Sequence, residues 1–169
     1  GKLEEVERSE SESIGLRVFV GQRSASINTS DFSPGSFAEL AERALAMARL
    51  APEDPYCGLA PEDRLFAGET PDLDLRDPHE PGPEALREAA LEAEDAARAI
   101  QGVTNSNGGS AGFSHSVAAL VTSHGFARGY ESTGHSLSAS VVAGEGSRMQ
   151  TDYDYRTARH RADLPAPAA

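Results

Sequence analysis

Residues 124–146, HGFARGYESTGHSLSASVVAGEG, set two histidines among six hydroxyl side chains, with glycines between them. These are the residue types of nucleophilic or metal-assisted chemistry. Three histidines fall in or near this stretch: His115, His124 and His135. A structural zinc site usually adds cysteine, and a catalytic one commonly pairs histidines at helical spacing. No HExxH or related pattern occurs in the chain. Strand ends can still gather three histidines in space, so a metal held by His115, His124 and His135 stays open as a rival reading.

Serine chemistry finds less support. GFSHS (112–116) lacks the last glycine of a nucleophile elbow, which belongs on a strand-to-helix turn. NSNGGSAG (105–112) lacks the Lys-Ser/Thr of a phosphate-binding loop, and its composition predicts a flexible hairpin loop. DLDLRDPHE (72–80) offers Asp72, Asp74, Asp77, His79 and Glu80 at close spacing. The turn glycine and distal Glu of a calcium loop are missing, and Arg76 sits among the candidate ligands, so a solvated acidic loop is predicted. A short strand at Leu73 and Leu75 would be compatible with it. Cys57, the single cysteine, follows a helix in PYCG and has no neighbouring base to make it a nucleophile. In MQTDYDYRTARH (149–160), the group Tyr153, Tyr155, Arg156, Arg159 and His160 suits a chain exit that packs against a next domain, or a peptide or nucleotide contact.

The elements that must position these residues are legible from periodicity. SIGLRVFVG alternates, with Ile14, Leu16, Val18 and Val20 on one face, and RSASINTSD returns after a turn at Gly21-Gln22. The acidic LEEVERSESE before it predicts an edge strand or its approach. A first helix is expected from a Ser33 cap and Pro34, with the stripe Phe37, Leu40, Ala41, Ala44, Leu45 and Ala48. A long Pro-rich loop over 52–82 leads to a second helix from Pro83 to about Ile100. Its stripe is Leu86, Ala89, Ala90, Ala93, Ala97 and Ile100. The last third is again β, with turns expected at Ser123-His124-Gly125 and at Thr133-Gly134. Ser136, Ser138 and Ser140 alternate with Leu137, Ala139 and Val141, as a half-solvated antiparallel strand requires. The fold class is therefore α+β, a mostly antiparallel sheet of two β-meanders covered by two amphipathic helices.

Charge excludes some partners. Twenty-seven acids against fifteen Lys and Arg give a net charge of −12. Such a field repels nucleic acid and anionic membrane surfaces. No apolar run is long enough to span a bilayer. A lone cysteine cannot form an internal disulfide, which suits a reducing compartment. The chain opens at Gly1 and closes on DLPAPAA, and both ends are expected to continue into further polypeptide.

Three stretches together carry a family resemblance: SESIGLRVFVGQRSASINTSDFSP, GVTNSNGGSAG and SLSASVVAGEGSRMQTDYDYRTARH. The chain resembles the N-terminal domain of the TldD/PmbA family, the group named modulators of DNA gyrase. Its last stretch is more similar to the PmbA (TldE) branch. The resemblance implies a single N-terminal α+β domain over 1–169, with a β-rich C-terminal domain beyond it. It implies a metallopeptidase that cleaves small or unfolded peptides, in peptide-antibiotic maturation and antitoxin degradation, and a heterodimer with a TldD-type subunit or self-association. The metal, with zinc expected, would belong to the HExxxH motif of the TldD-type subunit. No such motif occurs here, so no catalytic, cofactor-binding or metal residue is carried over to this chain, which would shape a peptide chamber and a subunit interface. An extended peptide could add to a strand edge at KLEEVERSE. The alternative is a non-enzymatic module acting on gyrase or a toxin–antitoxin partner.

Overall fold

The computed structural model describes residues 4–167. Two compact units divide them, one of residues 7–66 and one of residues 67–167 together with 4–6. Among the described residues the fold is α+β, with one α-helix and one antiparallel sheet in each unit.

In the first unit, β1 (Ile14–Val20) and β2 (Arg23–Thr29) pair from Ile14↔Thr29 to Val20↔Arg23. Gly21 takes φ 58° at the first turn position, where a side chain would be strained. Helix α1 (Ser36–Leu50) covers the hairpin with Leu40, Ala44 and Ala48, all buried and spaced four apart. Burying a leucine of this kind stabilises by roughly 1.5–3 kcal/mol. The far end is clipped by polar bonds. The Asp54 N–H donates to the Gln22 carbonyl at 2.7 Å, and Arg23 donates to the Ala51 carbonyl and pairs with Glu53 at 3.2 Å.

Three sequence expectations change here. Residues 4–13 carry no regular structure, so the first sheet is a two-stranded hairpin; Lys2 and Leu3 of the expected edge lie outside the described residues. Helix α1 starts two residues later than the Ser33-Pro34 signal, after Gly35, with no side-chain cap. Asp31 instead accepts the Ser33 N–H, and the Ser36 hydroxyl bonds the Asp31 and Ser33 carbonyls. Phe37 and Ala41 are exposed, because the hairpin is narrow and contacts only the centre of the stripe.

In the second unit, helix α2 (Pro83–Arg98) packs on β3 (Val103–Val121) and β4 (Ala127–Ala143), and β5 (Gln150–Ala158) completes the order β3-β4-β5. The alanine stripe brings α2 very close to the sheet. A Cβ on Gly109 would lie 2.2 Å from the Ala90 carbonyl oxygen, so only glycine fits there. This explains NSNGGSAG, expected as a flexible loop. It is strand, with register shifts at 103–105 and 106–108 and a glycine where the helix backbone presses down. The expected turn at Thr133-Gly134 is also strand, because β4 runs through it without a break, while the turn at 123–125 stands where expected. Ile100 lies beyond the end of α2 and is exposed. Leu73 and Leu75 form no strand, yet the Leu75 carbonyl accepts the Thr133 N–H at 2.9 Å.

Candidate functional site

Alternation along β4 creates two unlike faces. Odd-numbered residues Thr133, His135, Leu137, Ala139 and Val141 turn toward α2 and the loop before it. Even-numbered residues turn the other way.

On the covered face, Thr133 and His135 are buried and organise a polar clasp. The Thr133 hydroxyl accepts the Asp77 N–H at 2.8 Å and donates to the Arg159 carbonyl at 2.9 Å; Arg159 donates back to the Thr133 carbonyl at 3.0 Å. Asp77 accepts the His79 and Arg161 N–H groups at 2.8 and 2.6 Å. These two backbone donors hold its carboxyl below the usual carboxylate range against the opposing effect of desolvation, with His135 and His160 adding favourable charge. His135 is 2% exposed and stacks obliquely on Phe113 with ring centres 5.0 Å apart. Its Nε2 is 2.9 Å from Asp77 Oδ2, a close contact that lacks hydrogen-bond geometry. Asp74, at φ 50° in the left-handed region that Asp tolerates, offers both its carboxylate and its carbonyl to His160 Nε2, each at 3.0 Å. The carbonyl contact raises the His160 pKa, and Asp74, Asp77 and Asp163 add to the rise against desolvation. Arg76 and His115 share Glu131, at 3.0 and 3.3 Å.

DLDLRDPHE is a largely exposed acidic loop, as expected, but it is also docked, through Leu75 and Asp77, to β4 and to the segment after β5. A cavity of about 110 Å³ lies beside the clasp, lined by His79, Leu86, Gly112, His135, Arg161 and neighbouring aliphatic residues.

A metal is implied by the family described below. Among the described residues, no three His, Cys, Asp or Glu side chains converge to hold one. His115 is engaged by Glu131, His135 lies against Asp77, and His124 sits exposed in the β3–β4 turn. The donor set does not fit a metal ion.

The opposite face is open and chemically uniform. On β3 it presents Gly108, Ser110, Gly112, Ser114 and Ser116. Across the register stand Ser132, Gly134, Ser136, Ser138 and Ser140 of β4. Glycine and serine interlock: a Cβ on Gly112 would meet Ser136 Oγ at 2.8 Å, and one on Gly134 would meet Ser114 Oγ at 2.9 Å. Tyr153 and Tyr155 of β5 border it opposite Ser140 and Ser138, 69% and 62% exposed, with rings stacked 6.5 Å apart. The expected group of Tyr153, Tyr155, Arg156, Arg159 and His160 is thus divided. The tyrosines face the open side, Arg156 turns to the other face, and Arg159 and His160 belong to the clasp. Cys57, in the other unit, is half-buried in a turn.

Residues 76–169 match the PmbA/TldA metallopeptidase central domain, and residues 1–48 match PmbA/TldA metallopeptidase domain 1. The chain belongs to the PmbA/TldA metallopeptidase family. It is 39% identical to metalloprotease PmbA of Escherichia coli O157:H7 over 99% of its own length, and 35% identical to the PmbA homolog of Haemophilus influenzae over 98%. It spans 37% of the length of each. A Bacteroides thetaiotaomicron crystal structure carrying the name of a DNA gyrase modulator superposes with a TM-score of 0.81 at 27% identity, over 92% of this chain and 36% of that one. TldE of Thermococcus kodakarensis shares the fold, with a TM-score of 0.62 at 22% identity over 85% of this chain and 32% of that one.

Proposed function

We propose that this chain is the non-catalytic N-terminal portion of a PmbA/TldE-like subunit in a peptide-cleaving metallopeptidase assembly. It shapes the surface that holds the peptide and pairs with another subunit, in the cytoplasm. The hydrolytic metal, taken to be zinc, belongs to a TldD-type partner. The substrates are small or unfolded peptides, such as antibiotic precursors and antitoxins. The relatives' name, metalloprotease, supports the class of activity.

The observation that carries the role is the open face of the β3-β4-β5 sheet. Serine hydroxyls both donate and accept, glycines leave the surface low, and stacked tyrosines offer rigid amphipathic area. Tyr, Ser and Gly together make adaptable binding surfaces elsewhere. An extended chain, which presents alternating polar backbone groups and varied side chains, suits such a face without demanding one sequence.

Cleavage of an unstructured fluorogenic peptide tests the reading, with the protein assayed alone and mixed with a TldD-type subunit. Turnover confined to the mixture is expected. Turnover by the protein alone would overturn the non-catalytic assignment. Stoichiometric binding to gyrase or an antitoxin, with no turnover in any mixture, would favour the interaction-module alternative.

A further inference from the structure

The cavity beside the clasp is larger than packing defects usually are. Protein interiors leave few voids bigger than a water molecule, and its volume of about 110 Å³ is room for roughly three. Pro81, Leu86, Leu137 and Leu164 supply aliphatic walls, and α2 turns Ala85 and Ala89 toward it, where longer side chains would fill the space. His79 and Ala85 at its rim are exposed, whereas His135 and Leu137 at its floor are buried, so it opens to solvent on one side. Such walls select an occupant with an apolar body. A cavity of roughly 150 Å³ with aliphatic lining holds a benzene ring, so this one suits a branched group of about four carbons.

One side of the cavity is cationic. Arg161 lines it, and among the described residues its guanidinium pairs with no carboxylate; only its backbone N–H is engaged, by Asp77. Elsewhere in the chain Arg23, Arg76, Arg87 and Arg156 each hold a carboxylate. The first turn of α2, to which Ala85 belongs, has no side-chain cap, and the positive end of a helix favours a negative group. The acids nearby leave this side free. Asp77 is turned to the His79 and Arg161 N–H groups and forms no part of the wall, and Glu80 and Asp163 are exposed. An anion approaching a chain of net charge −12 needs a local cation, and Arg161 supplies one.

We propose that this cavity binds a small branched aliphatic carboxylate, with its methyl groups against Leu86, Leu137 and Leu164 and its carboxylate on the Arg161 guanidinium. A planar guanidinium matches a carboxylate with two parallel hydrogen bonds. A free short-chain acid and the C-terminal residue of a peptide offer the same chemistry. The cavity lies on the covered side of the sheet, under α2, away from the serine face. It is thus a second site, separate from the surface proposed to hold substrate, and does not rest on that reading.

Isothermal titration calorimetry of isovalerate into the full-length protein is the test, with isovaleramide as the uncharged probe of the same shape. R161Q removes the guanidinium and keeps the backbone N–H that Asp77 accepts, and A85L fills the rim from an exposed helical position. A far-UV spectrum and a urea transition confirm that both variants fold. Saturable binding of isovalerate is expected, weakened at least about fivefold by the amide or by R161Q and at least about tenfold by A85L. Methyl resonances of Leu86, Leu137 and Leu164 should shift with the same midpoint, which places the ligand in the cavity. A short unstructured peptide ending in leucine, with a free or an amidated C-terminus, identifies the source. Binding of the free-carboxylate peptide assigns the site to peptide ends, and binding of isovalerate alone assigns it to a free acid. No saturable binding of either, as when further polypeptide fills the cavity, would overturn the proposal. So would equal affinity for acid and amide, or an affinity that neither substitution changes.

Discussion

Thr133 Oγ1 accepts the backbone N–H of Asp77 at 2.8 Å, from a residue 56 positions earlier in the chain. The same oxygen donates to the Arg159 carbonyl, so one buried hydroxyl ties the loop before α2 and the segment after β5 to the middle of β4. T133V preserves the shape and removes both bonds. It leaves an N–H and a carbonyl without their partner, at a cost of about 1–3 kcal/mol. Urea denaturation followed by circular dichroism should show a lower midpoint with an unchanged slope, and an unchanged midpoint would deny the hydroxyl its structural part.

The clasp gives stability two opposite pH limits. The folded pKa of His160 lies above its ordinary 6.5, so its contribution is full below pH 6.5 and is lost as pH rises through the folded value. The folded pKa of Asp77 lies below 3.8, so its contribution is present above pH 3.8 and is lost as pH falls through the folded value. Urea midpoints measured across pH should fall at both ends. H160Q should flatten the decline above pH 6.5 and D77N the decline below pH 3.8.

Gly109 is fixed by the helix above it. A methyl group at this position meets the Ala90 carbonyl oxygen at 2.2 Å, a distance that no rotamer change relieves because the obstacle is backbone. G109A should therefore force α2 off the sheet and cost about 1–3 kcal/mol. Thermal unfolding reads this directly. G21A strains a turn instead, without touching α2, and makes a useful contrast.

Leu137 is the buried leucine of β4, on the same face as His135. L137A should cost about 2–5 kcal/mol. Ser138, the next residue, points to the open face, and S138A should stay within about 0.5 kcal/mol of the parent. Similar losses at the two positions would mean that the open face is covered.

Much of this was legible in the sequence. The alanine stripe of α2, the tight turn at Gly21, and the alternation of serines with Leu137, Ala139 and Val141 all came from periodicity, which local geometry dictates. The misses have physical reasons. Glycines 108, 109 and 112 read as a loop because glycine favours loops, but Gly109 and Gly112 are used against a helix backbone and a serine hydroxyl, and Gly108 takes φ 107° at a register shift, none of which local pattern reveals. Thr133-Gly134 read as a turn for the same reason. His135 was read only as a candidate metal ligand, although a signal for burial was present: it shares parity with Leu137, Ala139 and Val141, which places it on the covered side. Its partner Asp77 was hidden in an acidic stretch, since a contact across 58 positions leaves no local trace. The candidate face was read as a solvated strand, and only the register with β3 and β5 gathers its serines, glycines and tyrosines into one surface.

The most direct test of the account is the KM of the mixed peptidase for an unstructured peptide, with this subunit carrying S138E and Y155A on the open sheet face. The account predicts that KM rises at least about fivefold while kcat changes less than about twofold, the mark of lost uniform binding. An unchanged KM with the subunit folded and assembled would contradict the claim that this face holds the peptide.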